Sequence, residues 1–87
     1  MFWKAKEIFV GNLPLEITVE ELCEQFVPFG EVLSARIVEY EHHGQPALYG
    51  IVKMESGSAC AAAIDGLDGC TLRDKVLLVE WSLVLGE

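Results

Sequence analysis

The chain has 87 residues, 52% of them hydrophobic, with fourteen acidic and six basic side chains for a formal net charge of −8. That length accommodates one small domain with a limited core, and no run approaches the roughly 18 consecutive apolar residues of a membrane span. Nucleic acids are held largely by Lys and Arg at their phosphates, so this chain is expected to repel a polyanion unless its few cations gather on one face. Met1–Glu7 lacks the apolar stretch and small-residue cleavage site of a secretory signal. Cys23, Cys60 and Cys70 are an odd set with no CxxC pair, read as buried free thiols in a reducing compartment. An intracellular protein, nuclear or cytoplasmic, is the expectation.

In chain order, Glu7 to Gly11 alternates and contains β-branched and aromatic residues, which predicts a strand that Asn12-Leu13-Pro14 stops. Thr18 to Phe26 reads as a helix. Thr18-x-x-Glu21 fits a capping box, in which each side chain satisfies the other's free backbone N–H. Val19, Leu22, Cys23 and Phe26 form the expected buried stripe, and Pro28 and Gly30 end the helix. Val32 to Tyr40 is a second strand, Glu41 to Pro46 a polar turn and Ala47 to Met54 a third strand, so the pair should form an antiparallel hairpin. An Ala-rich helix follows over Ser58 to Leu67, with Ser56 or Ser58 as its cap and Gly66 and Gly69 near its end. Val76 to Trp81 is the fourth strand. The order βαββαβ predicts an α+β, ferredoxin-like sandwich: a four-stranded antiparallel sheet with two helices on one face. The other face has no element left to cover it. A single domain is expected over 1–87, its core about 7–81 and an apolar tail at 82–87.

Ile8-Phe9-Val10-Gly11-Asn12-Leu13 resembles the hexapeptide signature on the first strand of RNA recognition motifs, and Ala47 to Met54 resembles that family's octapeptide in degraded form. Thr18-x-Glu20-Glu21-Leu22, Phe29-Gly30-Glu31-Val32, Ala63-Ile64-x-x-Leu67-x-Gly69 and Lys75-x-Leu77-x-Val79 fall where the family places helix starts, turns and core. The resemblance covers about Glu7 to Trp81. It implies a single-stranded RNA-binding module of modest affinity, with bases stacked at positions matching Phe9, Tyr49 and Ile51. Strand alternation agrees. If Ile8 and Val10 face the helices, Phe9 faces out; if Gly50 and Val52 face in, Tyr49, Ile51 and Lys53 face out. Ile51 cannot stack, so one platform of three is lost. Ala47 stands where the family carries Lys or Arg, and Met54 where it carries an aromatic core residue.

Arg36, Lys53 and Lys75 are the expected contacts to phosphate or base edges, with Lys4 and Lys6 at the sheet edge. Glu16, Glu20, Glu21, Glu24 and Glu31 gather in or beside the first helix, leaving the sheet near neutral. Ile51, Val38 and Leu78 make the outer face apolar, which fits equally a surface for a partner and one covered by Trp81 to Leu85 or by Phe2-Trp3. The alternative reading is a protein-interaction domain, working through the acidic first helix, the sheet face or self-association, although a monomer is expected over a dimer. An Arg-x-Phe motif, with which some relatives grip a tryptophan-containing peptide, is replaced by Cys70-Thr71-Leu72. His42-His43 has no third ligand at suitable spacing and reads as solvated loop. No membrane contact, metal or cofactor is expected. No GxxxxGK[ST], HExxH or GxSxG pattern is present, so no enzymatic activity is expected either.

Overall fold

Alternation along Glu7–Gly11 (β1) buries Ile8 and Val10 completely while Phe9 stays half-buried on the opposite side, so this strand has one face for a core and one for something else. The structure is a computed structural model that describes residues 6–82. After β1 come the helix Val19–Phe26 (α1), a 3₁₀ turn Val27–Phe29, the long strands Val32–His42 (β2) and Gln45–Met54 (β3), and the helix Gly57–Leu67 (α2). A short ribbon of Thr71–Leu72 (β4) and Lys75–Val76 (β5) then precedes Leu78–Trp81 (β6). The main sheet is antiparallel in the order β2-β3-β1-β6. The expected βαββαβ arrangement is present, with β6 as the fourth strand of the sheet.

The helix starts follow from their caps. Glu21 N–H donates to Thr18 Oγ1 at 3.1 Å while Thr18 N–H donates to Glu21 Oε1 at 3.0 Å, which completes the reciprocal box. At α2 the cap is Ser56, whose Oγ accepts from Ala59 N–H at 3.1 Å. Both helices lie over the face made by Ile8, Val10, Val52, Met54 and Val79, and Leu22, Phe26, Cys60 and Ala63 complete the core. Gly50 lets α1 approach closely, since a Cβ there would meet Leu22 Cδ2 at 2.7 Å.

Four local expectations are corrected. Val19, assigned to the buried stripe of α1, is exposed, and Cys23 is only half-buried; Leu22 and Phe26 carry the contact with the sheet. The β2–β3 connection is not a six-residue turn. His43 (φ 54°) and Gly44 (φ 77°) alone turn the chain, and two successive positive φ values match the right-handed twist of the flanking strands. The segment taken as one strand from Val76 is divided: Val76 pairs with Thr71, Leu77 exchanges backbone hydrogen bonds with Gly69 and Cys70, and only Leu78 onward joins the main sheet. The thiols are free but not all buried, because Cys60 is enclosed on the buried side of α2 whereas Cys70 is exposed. Burial raises the Cys60 thiol pKa, an effect partly opposed by a backbone hydrogen bond at Met54.

Candidate functional site

The sheet face away from the helices is built by strand register. Phe9 lies opposite Ile51, Ile51 opposite Arg36, and Tyr49 opposite Val38, so these side chains from three strands share one side. The Phe9 and Tyr49 ring centroids are 5.3 Å apart with 31° between planes. Both rings are half-buried, held at the edge of solvent and outside the core. Ile51 sits between Phe9 and Arg36 across the strands and adds an apolar contact but no ring. Met54 is fully buried on the helix side, so losing an aromatic ring there alters the core and leaves the open face as it is.

Arg36 and Lys53 are exposed, and the register carries both onto this face. Acidic residues accompany them. Glu7 is paired with Lys53 and Glu80 with Phe9. Two cations against two anions leave this part of the described face neutral, while Glu16, Glu20 and Glu24 stand exposed on and beside α1. Glu21, half-buried on α1, forms an ion pair with Arg73 from the β4–β5 turn. Lys75 does not lie on a strand of the main sheet. From β5 it reaches a groove of about 280 Å³ that Phe9, Tyr40 and Leu78 also line.

Three rings extend the aromatic row beyond the expected pair. Tyr40 is 5.7 Å from Tyr49, His42 is 6.4 Å from Tyr40, and the His43 ring meets His42 edge-on at 4.3 Å. The signal for Tyr40 was in the sequence. Positions 36, 38 and 40 alternate onto one face within the expected strand Val32 to Tyr40, and the next in the series, His42, falls where a turn is expected. His42 is the final residue of β2, paired with Gln45 on the open side, while His43 occupies the turn; both are exposed, as expected of solvated residues. Among the described residues no cluster of three metal-ligating side chains occurs. Trp81 pairs with Ile8 and so belongs to the helix side of β6, which removes it as a cover for the open face. Phe2, Trp3, Lys4 and the stretch from Leu83 to Leu85 lie outside the described residues.

A two-layer α+β sandwich with a row of rings and two cations on a sheet face that no described residue covers defines a binding module. A family model described as the RNA recognition motif matches residues 8–78. The chain belongs to the RNA recognition motif family. It is similar to the RNA-binding protein BRN2 of Arabidopsis thaliana, at 36% identity over 73 residues, covering 84% of this chain and 17% of that protein. The chloroplastic 28 kDa ribonucleoprotein of Spinacia oleracea is 38% identical over 72 residues, covering 83% of this chain and 31% of that one. The chain therefore spans less than a third of either relative. The solved structure titled as RNA Binding Protein PG1 superposes with a TM-score of 0.80 at 29% identity, over 94% of this chain and 99% of that one. Among the described residues, no helix is long and apolar enough to cross a membrane.

Proposed function

We propose that this chain is a single-stranded RNA-binding module of modest affinity that works through the open face of its sheet. Phe9 and Tyr49 stack bases, Arg36 and Lys53 contact phosphate or base edges, Lys75 meets the strand at the β5 end, and Ile51 packs against a base or ribose without stacking. The observation that carries the reading is the adjacent placement of the Phe9 and Tyr49 rings, 5.3 Å apart on the sheet side away from the helices. A base on an aromatic ring is worth about 1–3 kcal/mol whatever its identity. Membership of the family and the names of the relatives support the same reading, and those names are of RNA-binding proteins rather than enzymes. The whole chain acts as one module and as a monomer, because a face occupied by RNA is closed to a second copy. An intracellular setting accords with three free thiols, and a chloroplastic relative adds an organelle to the nucleus and cytoplasm as its location.

Titration with short mixed-sequence RNA pools at low salt, followed by amide chemical shifts, tests this. Shifts should concentrate on β1 and β3 and disappear in a Phe9→Ala, Tyr49→Ala double variant. RNA that leaves those strands unperturbed, or that binds the double variant equally well, would falsify stacking as the mode of binding.

A further inference from the structure

We infer that the flank of α1 turned away from the β4–β5 ribbon docks a basic amphipathic segment of a partner protein. Its contact ridge is Val19, Cys23 and Val27, spaced i, i+4 and i+8. Val27 keeps helical dihedrals and its N–H donates to the Cys23 carbonyl, so the ridge runs unbroken through the end of α1. Val19 is 40% exposed and Val27 61%, and Cys23 between them is half-buried. At about 100° per residue, the buried Leu22 and Phe26 lie on one side of this ridge and Glu20 and Glu24 on the other. Glu21 falls beyond the core residues, on the flank that pairs with Arg73. The ridge is thus on the far side of the core residues from the ribbon that holds Thr71 and Leu72, where some relatives carry their Arg-x-Phe grip. A row at four-residue spacing is what one helix lays into the groove of another.

Charge selects the occupant. α1 contains no Lys or Arg; among the described residues Glu20 and Glu24 form no ion pair, and Glu16 stands exposed just before the helix. The negative end of the helix dipole lies beside Val27, and no basic side chain in the last turn offsets it. In a chain with a net charge of −8, a second copy, an RNA or an anionic lipid surface brings like charge to this flank. An aliphatic row flanked by Lys or Arg complements both the ridge and the acids beside it. The ridge belongs to the helix layer, whereas Phe9 and Tyr49 lie on the opposite face of the sheet, so this docking does not depend on the RNA reading.

The test titrates a synthetic amphipathic peptide, with leucines on one face and lysines on the other, into the whole chain. Amide shifts should centre on Val19 to Val27. With free peptide at about ten times its Kd, alkylation of Cys23 should slow about 10-fold while exposed Cys70 reacts as before. A Val19→Ser, Val27→Ser variant should lose both effects; these side chains are exposed, and unchanged amide shifts elsewhere report that it folds. Glu20→Gln with Glu24→Gln should weaken binding about 3-fold or more, as two surface ion pairs do. Phe9→Ala with Tyr49→Ala should leave peptide binding as it was. A peptide that binds the serine variant equally well, or that shifts Glu39 and Glu41 as much as α1, is held by charge alone and overturns the ridge. Absence of shifts on α1 overturns it too. Ridge amides that move with protein concentration alone assign the ridge to a second copy, and ridge amides that move on Phe2→Ser with Trp3→Ser assign it to the chain's own N-terminal residues. Either result overturns a partner protein as the occupant.

Discussion

At the scale of single residues, the open face is an RNA recognition motif surface with one ring missing and others added. Ile51 is half-buried on that face between Phe9 and Arg36, so an aromatic side chain can be accommodated there without disturbing the core. Ile51→Phe is expected to tighten binding of mixed RNA by about 5- to 10-fold, the low end of one base–ring stack, as fluorescence anisotropy would measure. The cysteines differ in the opposite sense from their shared expectation. Burial favours the neutral Cys60 thiol and raises its pKa, whereas Cys70 is open to reagent. In mildly alkaline buffer Cys70 should be alkylated rapidly and Cys60 only as fast as the domain opens, with mass spectrometry assigning the sites. The linkage has a definite sign. Below both pKa values Cys60 contributes no pH dependence; once the pH passes the ordinary thiol value, the unfolded chain ionises first and Cys60 lowers stability.

At the scale of elements, close packing of α1 on β3 depends on the absence of a side chain at position 50. A Cβ there would lie 2.7 Å from Leu22 Cδ2 and 3.3 Å from Leu13 Cδ1, both buried where no neighbour can yield freely. Gly50→Val should destabilise the domain by about 1–3 kcal/mol, measured by urea unfolding, and the Phe9 and Tyr49 rings of any folded fraction should remain in place. Capping and alternation were legible because they are local. Thr18, Glu21 and Ser56 announce helix starts through contacts only three residues long, and Ile8, Phe9 and Val10 announce opposite faces through one strand's pleat. The β4–β5 ribbon was not legible. Its two strands have two residues each, too few for a periodic signal, and its turn at Arg73 and Asp74 takes positive φ without a glycine to mark it.

At the scale of the whole molecule, the acidity of the chain and its proposed ligand are reconciled by where the charges fall. Glu16, Glu20 and Glu24 stand exposed on the α1 side, whereas the described sheet face sets Arg36 and Lys53 against Glu7 and Glu80. A neutral face does not attract RNA from a distance, so binding relies on stacking and on few phosphate contacts. With Arg36, Lys53 and Lys75 as those contacts, the logarithm of affinity should fall against the logarithm of salt with a slope of about −2, from about −0.7 per phosphate for single strands. A markedly steeper slope, in isothermal titrations across a salt series, would mean that more cations reach the strand than these three.

From the amino-acid order alone came the order of the two helices and the four main-sheet strands, the Thr18 cap, and the outward direction of Phe9, Tyr49, Ile51, Arg36 and Lys53; for the second cap it left Ser56 and Ser58 open. Each depends only on near neighbours and on the two-residue repeat of a strand. Which of those side chains meet was decided by the tertiary structure. The Tyr40–Tyr49 contact depends on the register of β2 against β3, which the His43–Gly44 turn sets. The placement of Lys75 beside Phe9 and Tyr40 depends on a ribbon that brings distant parts of the chain together. Pairing between strands is a long-range choice among registers, and only closure of the whole sheet over its core makes one register the lowest in free energy.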